Sequence, residues 1–130
     1  MILVDSSVWI DFFSAAPGRA GAELRRMIAD AEPFALTGIV VTEVLQGLTR
    51  DIARIERLLS QWELLEPSGY GTYRKAAYLF RQARAKGVTI TTMDALIASI
   101  ALENSATVFT LDKDFTRLAP ITGHSLYALP

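Results

Sequence analysis

The chain has 130 residues, enough for one domain with one core. Hydrophobic residues make up 51% and charged residues 21%, which is apolar for a small soluble domain and suggests surface hidden against another copy or a partner. The net charge of −1 argues against a broad basic coat for nucleic acid while leaving room for a local basic groove. The absence of Cys removes disulfides, thiolate metal sites and Cys nucleophiles, and the single His124 excludes a His-cluster metal site within one chain. Any chemistry must come from carboxylates, hydroxyls and Arg or Lys. No run of about 18 apolar residues occurs and no basic segment precedes the first apolar run, so the chain reads as soluble and cytoplasmic, with no membrane span.

The opening, Met1-Ile2-Leu3-Val4, is a short apolar strand feeding a helix whose apolar positions are Val8, Trp9, Phe12 and Phe13. A strand buried on both faces that runs straight into a helix is how a parallel α/β sheet begins. Asp5 therefore stands at the carboxyl end of a strand, where such sheets bind ligands. Asp5 also has a plainer reading as a turn residue, and Ser6 or Ser7 is expected to cap the helix.

Ala15-Ala16-Pro17-Gly18 makes a loop. Residues 20–30 read as a helix with Leu24, Met27 and Ile28 inward and Glu23, Arg25 and Arg26 towards solvent. Phe34-Ala35-Leu36 is a second strand, and Thr37-Gly38 turns into a helix over 39–48, striped by Val40, Val44 and Leu48. Glu43 flanks that stripe, with Gly47 one turn on leaving room for a close approach. A solvated Glu is the ordinary alternative. Another helix is expected over 52–62, with Ile55, Leu58, Leu59 and Trp62 on its apolar side, then a short strand within 63–66.

Residues 70–86 form the longest predicted helix, closed by Gly87, with Tyr73, Ala76, Ala77 and Phe80 facing the core. Arg74, Lys75, Arg81, Arg84 and Lys86 decorate the rest, either as a solvated face or as the wall of a phosphate-binding groove. The helix from Met93 to Leu102 is apolar nearly all round and should be buried. Asp94, in its first turn, is the exception, and a carboxylate beside a buried helix is costly unless paired, capped or metal-bound. Capping falls to Thr91 or Thr92, which leaves Asp94 redundant in that role. Thr107 to Leu111 is a further buried strand, ending in Asp112-Lys113-Asp114-Phe115. A short turn over 115–118, an exposed loop around His124 and an edge strand within 125–129 complete the chain.

Strand–helix alternation predicts one α/β domain over residues 1–130, with a central, mostly parallel sheet flanked by helices. Asp5, Glu43, Asp94 and Asp112 are then expected to converge at one edge of the sheet. Carboxylates so close repel one another unless a hard divalent cation joins them. Such a site fits metal-assisted attack of water on a phosphodiester.

Together these segments resemble the PIN-domain family, above all its VapC-type ribonuclease toxins. The resemblance is carried by Val4-Asp5-Ser6-Ser7-Val8-Trp9-Ile10, Thr42-Glu43-Val44-Leu45-Gln46-Gly47, Asp94-Ala95-Leu96-Ile97-Ala98 and Thr110-Leu111-Asp112-Lys113-Asp114-Phe115. It spans almost the whole chain, with the acids in the same order. It implies a Mg²⁺- or Mn²⁺-dependent endoribonuclease acting on RNA, the toxin of a toxin–antitoxin pair, forming a homodimer and held by a VapB-type antitoxin. It implies Asp5, Glu43, Asp94 and Asp112 as catalytic and metal-binding acids, with Asp114 as the alternative fourth, and a hydroxyl at Ser6. Two other readings compete: a metal-dependent phosphatase on a similar sheet, which lacks an acid at Ser7, and a catalytically silent interaction module, which gains nothing from keeping four acids together.

Overall fold

The computed structural model describes residues 1–130. Five short strands form one sheet: β1 (Ile2–Val4), β2 (Ala35–Leu36), β3 (Glu63–Leu64), β4 (Thr107–Phe109) and β5 (Ser125–Leu126). Their order is β3-β2-β1-β4-β5 and every pairing is parallel, so the sheet is parallel throughout. Seven helices connect them: α1 (Ser6–Phe13), α2 (Arg19–Ala29), α3 (Gly38–Gln46), α4 (Ile52–Leu59), α5 (Tyr70–Ala85), α6 (Thr92–Glu103) and α7 (Lys113–Thr122).

The sheet grows one way through β2 and β3, then the chain returns across it to add β4 and β5 on the other side of β1. Right-handed crossovers put the helices before and after that return on opposite faces. The packing agrees: α1 lies against α2 and α3, and α3 against α4, whereas α5, α6 and α7 pack on one another. The strand order reverses between β1 and β4, and a crevice opens there beyond the strand ends.

Both sheet faces are thus covered, which is why Leu3, Val4, Leu36, Val108 and Phe109 are buried in consecutive positions rather than alternating. On one face Trp9 is fully buried, its ring centroid 5.4–5.9 Å from those of Phe12, Phe13, Phe34 and Trp62. The α1–α2 contact depends on Gly21. A Cβ there would lie 2.9 Å from an Asp11 carboxylate oxygen and 3.0 Å from the Phe12 backbone. Asp11 in turn accepts the backbone N–H groups of Gly18 and Gly21, tying the start of α2 to α1.

Several expected elements differ. The C-terminal helix α7 runs ten residues instead of a short turn, because Asp112 caps it by accepting the Asp114 N–H at 2.9 Å and Gly123 closes it at φ 80°. Pro120 near its end had concealed the length. The fourth helix stops at Leu59, three residues before Trp62, with Ser60 at its C-cap. Glu23 is buried, because Arg26 and the Tyr127 hydroxyl both donate to it. Tyr73 and Ala77 are exposed; the inward line of α5 is Thr72, Ala76, Leu79 and Ala83, one step round the helix from the expected face. His124 is buried rather than in an exposed loop, its ring donating from Nε2 to the Phe115 carbonyl at 3.1 Å and accepting at Nδ1 from the Thr122 hydroxyl.

Candidate active site

The crevice beyond β1 and β4 collects the acids. Val4 pairs with Phe109, so the residues that follow, Asp5 and Thr110, leave the sheet side by side. The Asp5 N–H donates to the Phe109 carbonyl at 2.9 Å, which extends the ladder one step and fixes the backbone of Asp5. Its side chain is buried with 4% exposure. One oxygen, Oδ2, receives the Ser7 and Thr110 hydroxyls, each at 2.9 Å. Neither hydroxyl donates to Oδ1.

Neither Ser6 nor Ser7 caps α1. Asp5 occupies the N-cap position without a side-chain capping bond, and both serines are drawn into the crevice instead. Ser7 bonds Asp5, and Ser6 donates to Glu43 Oε1 at 3.2 Å. That bond joins α1 to α3, which Thr37 starts by accepting the Val40 N–H at 3.1 Å. Burial raises the Glu43 carboxyl above its ordinary range; the Ser6 hydroxyl opposes this, and the nearby charges of Asp5 and Asp112 raise it further. Gly47 is the C-cap of α3, and a Cβ there would meet only backbone oxygens, the nearer at 3.7 Å, so no close approach demands glycine.

Thr91 caps α6 by accepting the Asp94 N–H at 3.1 Å, and the Asp94 carboxylate is in turn drawn to the Thr91 hydroxyl and N–H. Burial pushes its carboxyl up to about 6, against the pull of Thr91 and with the charges of Asp112 and Asp114 adding to the rise. Asp112 and Asp114 follow β4. An oxygen from each of Asp94, Asp112 and Asp114 falls within 4.8 Å of the others, and all three residues are half-buried. So Asp112 and Asp114, rivals by sequence, both reach the cluster. Asp5 and Glu43 lie outside that tight group, on the β1 and α3 side of the crevice. The Arg117 guanidinium stands 3.5 Å from Asp114 on the next turn of α7.

Ser7 and Thr110 are the residues that sequence reasoning missed as parts of the site. The available signal was a hydroxyl two residues from an acid in both loops, Asp5-Ser6-Ser7 and Thr110-Leu111-Asp112. The donor set is all carboxylate oxygen, with one cation at its edge. Such a set suits a hard divalent cation with retained waters, which would stabilise the charged forms of Asp94 and Glu43 that burial, and to a lesser extent the neighbouring carboxylates, disfavour. The arrangement can hold a cation against a phosphate ester. It offers no nucleophile of its own apart from hydroxyls already donating to carboxylates.

Known proteins share this family pattern and this fold. The family model for the PIN domain matches residues 2–120. Ribonuclease VapC11 of Mycobacterium tuberculosis and a VapC ribonuclease of Mycobacterium bovis are each 33% identical over 126 residues, covering 94% of both chains. Among solved structures, FitAcB from Neisseria gonorrhoeae superposes with a TM-score of 0.77 at 23% identity, covering 98% of this chain and 97% of that one. VapBC2 from Rickettsia felis, bound to a DNA fragment from its promoter, gives 0.75 at 22%, covering 98% of each. At those identities the structural likeness speaks for the fold.

Proposed function

The chain belongs to the PIN-domain family, and we propose that it is an endoribonuclease, the toxin of a toxin–antitoxin pair, cutting RNA phosphodiester bonds with Mg²⁺ or Mn²⁺. The observation that carries this reading is the convergence of Asp94, Asp112 and Asp114 to within 4.8 Å beside Asp5 and Glu43, where the strand order reverses. The relatives named ribonucleases support RNA as substrate, and the toxin–antitoxin complexes among the fold neighbours support an antitoxin of the VapB type. Two apolar cavities of about 400 Å³ suit the antitoxin and a second copy of the chain: one between α5 and α6, lined by Tyr73, Phe80 and Leu96, the other among α3, α4 and β3, lined by Leu45, Leu59 and Trp62.

When bound, the cation supplies Lewis acidity towards the phosphate and lowers the pKa of a water. The chain's own residues do the rest. Asp94, Asp112 and Asp114, with Asp5 and Glu43 beside them, would hold the cation. Ser6 steadies Glu43 at the rim of the same crevice. Burial holds the Asp94 carboxyl high, and its ionised form is favoured once a cation is bound. Arg117 puts one positive charge beside the acids for an RNA phosphate. With few such contacts and a net charge of −1, RNA binding is weak and salt-sensitive, and selectivity rests on RNA shape or unpaired bases.

A phosphatase is disfavoured because the position two residues after Asp5 is Ser7, whose hydroxyl is committed to Asp5. The test is product chemistry. Cleavage of a defined RNA in ¹⁸O-labelled water incorporates the label into the terminal phosphate, with no 2′,3′-cyclic phosphate. A cyclic phosphate product would mean attack by the RNA's own 2′-hydroxyl and overturn water as the nucleophile. Hydrolysis of a small phosphomonoester without RNA cleavage would favour the phosphatase.

A further inference from the structure

Two backbone amides, two hydroxyls and one carboxylate oxygen form a directed chain of hydrogen bonds beneath the acids. The Leu111 N–H donates to Ser7 Oγ at 2.9 Å, and the Asp112 N–H donates to Thr110 Oγ1 at 2.9 Å. Each hydroxyl has one proton to give. Both give it to Asp5 Oδ2, again at 2.9 Å each. The two hydroxyl oxygens are 3.3 Å apart, and with both protons spent on Asp5 that contact carries none.

This has two mechanical consequences. Asp5 Oδ2 is filled by two donors at fixed angles, so the carboxylate cannot rotate, and Oδ1 is the oxygen left to face a ligand. The same hydroxyls also grip the backbone of Leu111 and Asp112, the start of the loop that delivers Asp112 and Asp114. Because Asp5 and Thr110 leave adjacent parallel strands in register, the whole assembly is referenced to the sheet rather than to a mobile loop.

We propose that Ser7 and Thr110 are positioning residues: together they lock Asp5 as a one-oxygen ligand through Oδ1 and set the Asp5-to-Asp112 spacing for a divalent cation. The inference rests on the acids being a cation site, as argued under the proposed function. Outer groups that orient metal ligands are typically worth about 10–100-fold in metal affinity or activity when removed. Either hydroxyl alone leaves one donor on Oδ2, so single losses are partial and the double loss reaches that range. RNA binding away from the cation is untouched.

The experiment titrates Mn²⁺ into wild type, Ser7→Ala, Thr110→Val, Thr110→Ser, the Ser7→Ala/Thr110→Val double variant and Asp5→Asn, by calorimetry and by the paramagnetic signal of free Mn²⁺, well below each melting temperature. Steady-state RNA cleavage follows on the same preparations. Mn²⁺ affinity falls in Thr110→Val, falls about tenfold or more in the double variant, and recovers in Thr110→Ser, which keeps the hydroxyl. The loss in cleavage appears in kcat with KM for RNA little changed. A purely structural role would lower the melting temperature but leave Mn²⁺ affinity of the folded protein where it was. If Asp5→Asn loses Mn²⁺ while the double variant binds it as wild type does, the positioning role is overturned and the cation site stands. If Asp5→Asn itself binds Mn²⁺ like wild type, the cation-site reading fails and the positioning role with it. Should the double variant not fold, Ser7→Ala, at a half-buried position, decides on its own between a measurable drop in affinity and none.

Discussion

Asp94 gives the sharpest prediction, because its charge burdens the fold when no cation is present. An ordinary Asp carboxyl titrates near 3.8, whereas burial and the charges of Asp112 and Asp114 push Asp94 up to about 6. That gap sets a ceiling of about 3 kcal/mol. The side chain is half-buried, so solvent screening reduces the stability effect to about 1–2 kcal/mol. The sign follows from which state holds the proton. The folded chain keeps Asp94 protonated to higher pH than the unfolded chain does. Its favourable contribution is therefore complete below about pH 4 and is lost as pH rises through about 6. Asp94→Asn removes that titration. In metal-free buffer at neutral pH the variant melts above wild type, by about 3–8 °C for a chain of this size. The gap closes as the pH is lowered to about 4. Saturating Mg²⁺ or Mn²⁺ reverses the order, because the cation stabilises only a native state that binds it. Differential scanning calorimetry across this pH range, with chelator and with cation, measures all three effects. A difference between the two proteins that is independent of pH, or a variant that melts lower at neutral pH without metal, would refute the reasoning.

Other perturbations read other parts of the fold. Gly21→Ala forces a methyl group against the Phe12 backbone at 3.0 Å and costs about 1–3 kcal/mol; the urea midpoint falls with unchanged slope, while cleavage per folded molecule is retained. His124 is held neutral, since burial lowers its pKa against the Phe115 hydrogen bond. Its contribution to stability is present above about pH 6.5 and is lost as pH falls through the lower folded value, so His124→Gln flattens the acid limb of the stability curve, as read by chemical denaturation. Leu64→Asp, at the exposed rim of the cavity beside Trp62, weakens antitoxin capture in a pull-down with the purified partner and leaves RNA cleavage by the free protein unchanged; equal capture would remove that cavity from the antitoxin interface.

What was legible in the sequence follows from how directly local pattern sets structure. Apolar runs ending in acid marked β1 and β4, because a buried parallel strand has to be apolar on both faces; Asp5 directly follows β1, whereas β4 stops at Phe109, short of the expected Leu111, and Asp112 instead caps α7. The near-continuous apolar stretch of α6 made Asp94 conspicuous. Features set by distant partners were not legible. Glu23 looked like a solvent-facing helix acid until Arg26 and Tyr127, 104 residues away from it, supplied its partners. His124 looked like a loop residue because the Phe115 carbonyl that binds it lies at the start of a helix hidden by Pro120. The inward face of α5 was misjudged by one position because aromatic Tyr73 drew the stripe, whereas small Ala76 and Ala83 line the contact with the apolar helix α6. The hydroxyls of Ser7 and Thr110 carry no periodic signal at all, and only the register of β1 against β4 brings them onto one carboxylate.

The central claim is that carboxylates gathered at the β1–β4 crevice cut RNA with a divalent cation. Its most direct measurement is a cleavage time course on a structured RNA, using purified protein free of antitoxin, in Mg²⁺, in Mn²⁺ and in EDTA, with Asp5→Asn alongside. Cutting in either metal, none in EDTA, and none by a folded Asp5→Asn protein is the predicted result. Persistent cutting in EDTA, or an Asp5→Asn protein as active as wild type, would contradict it.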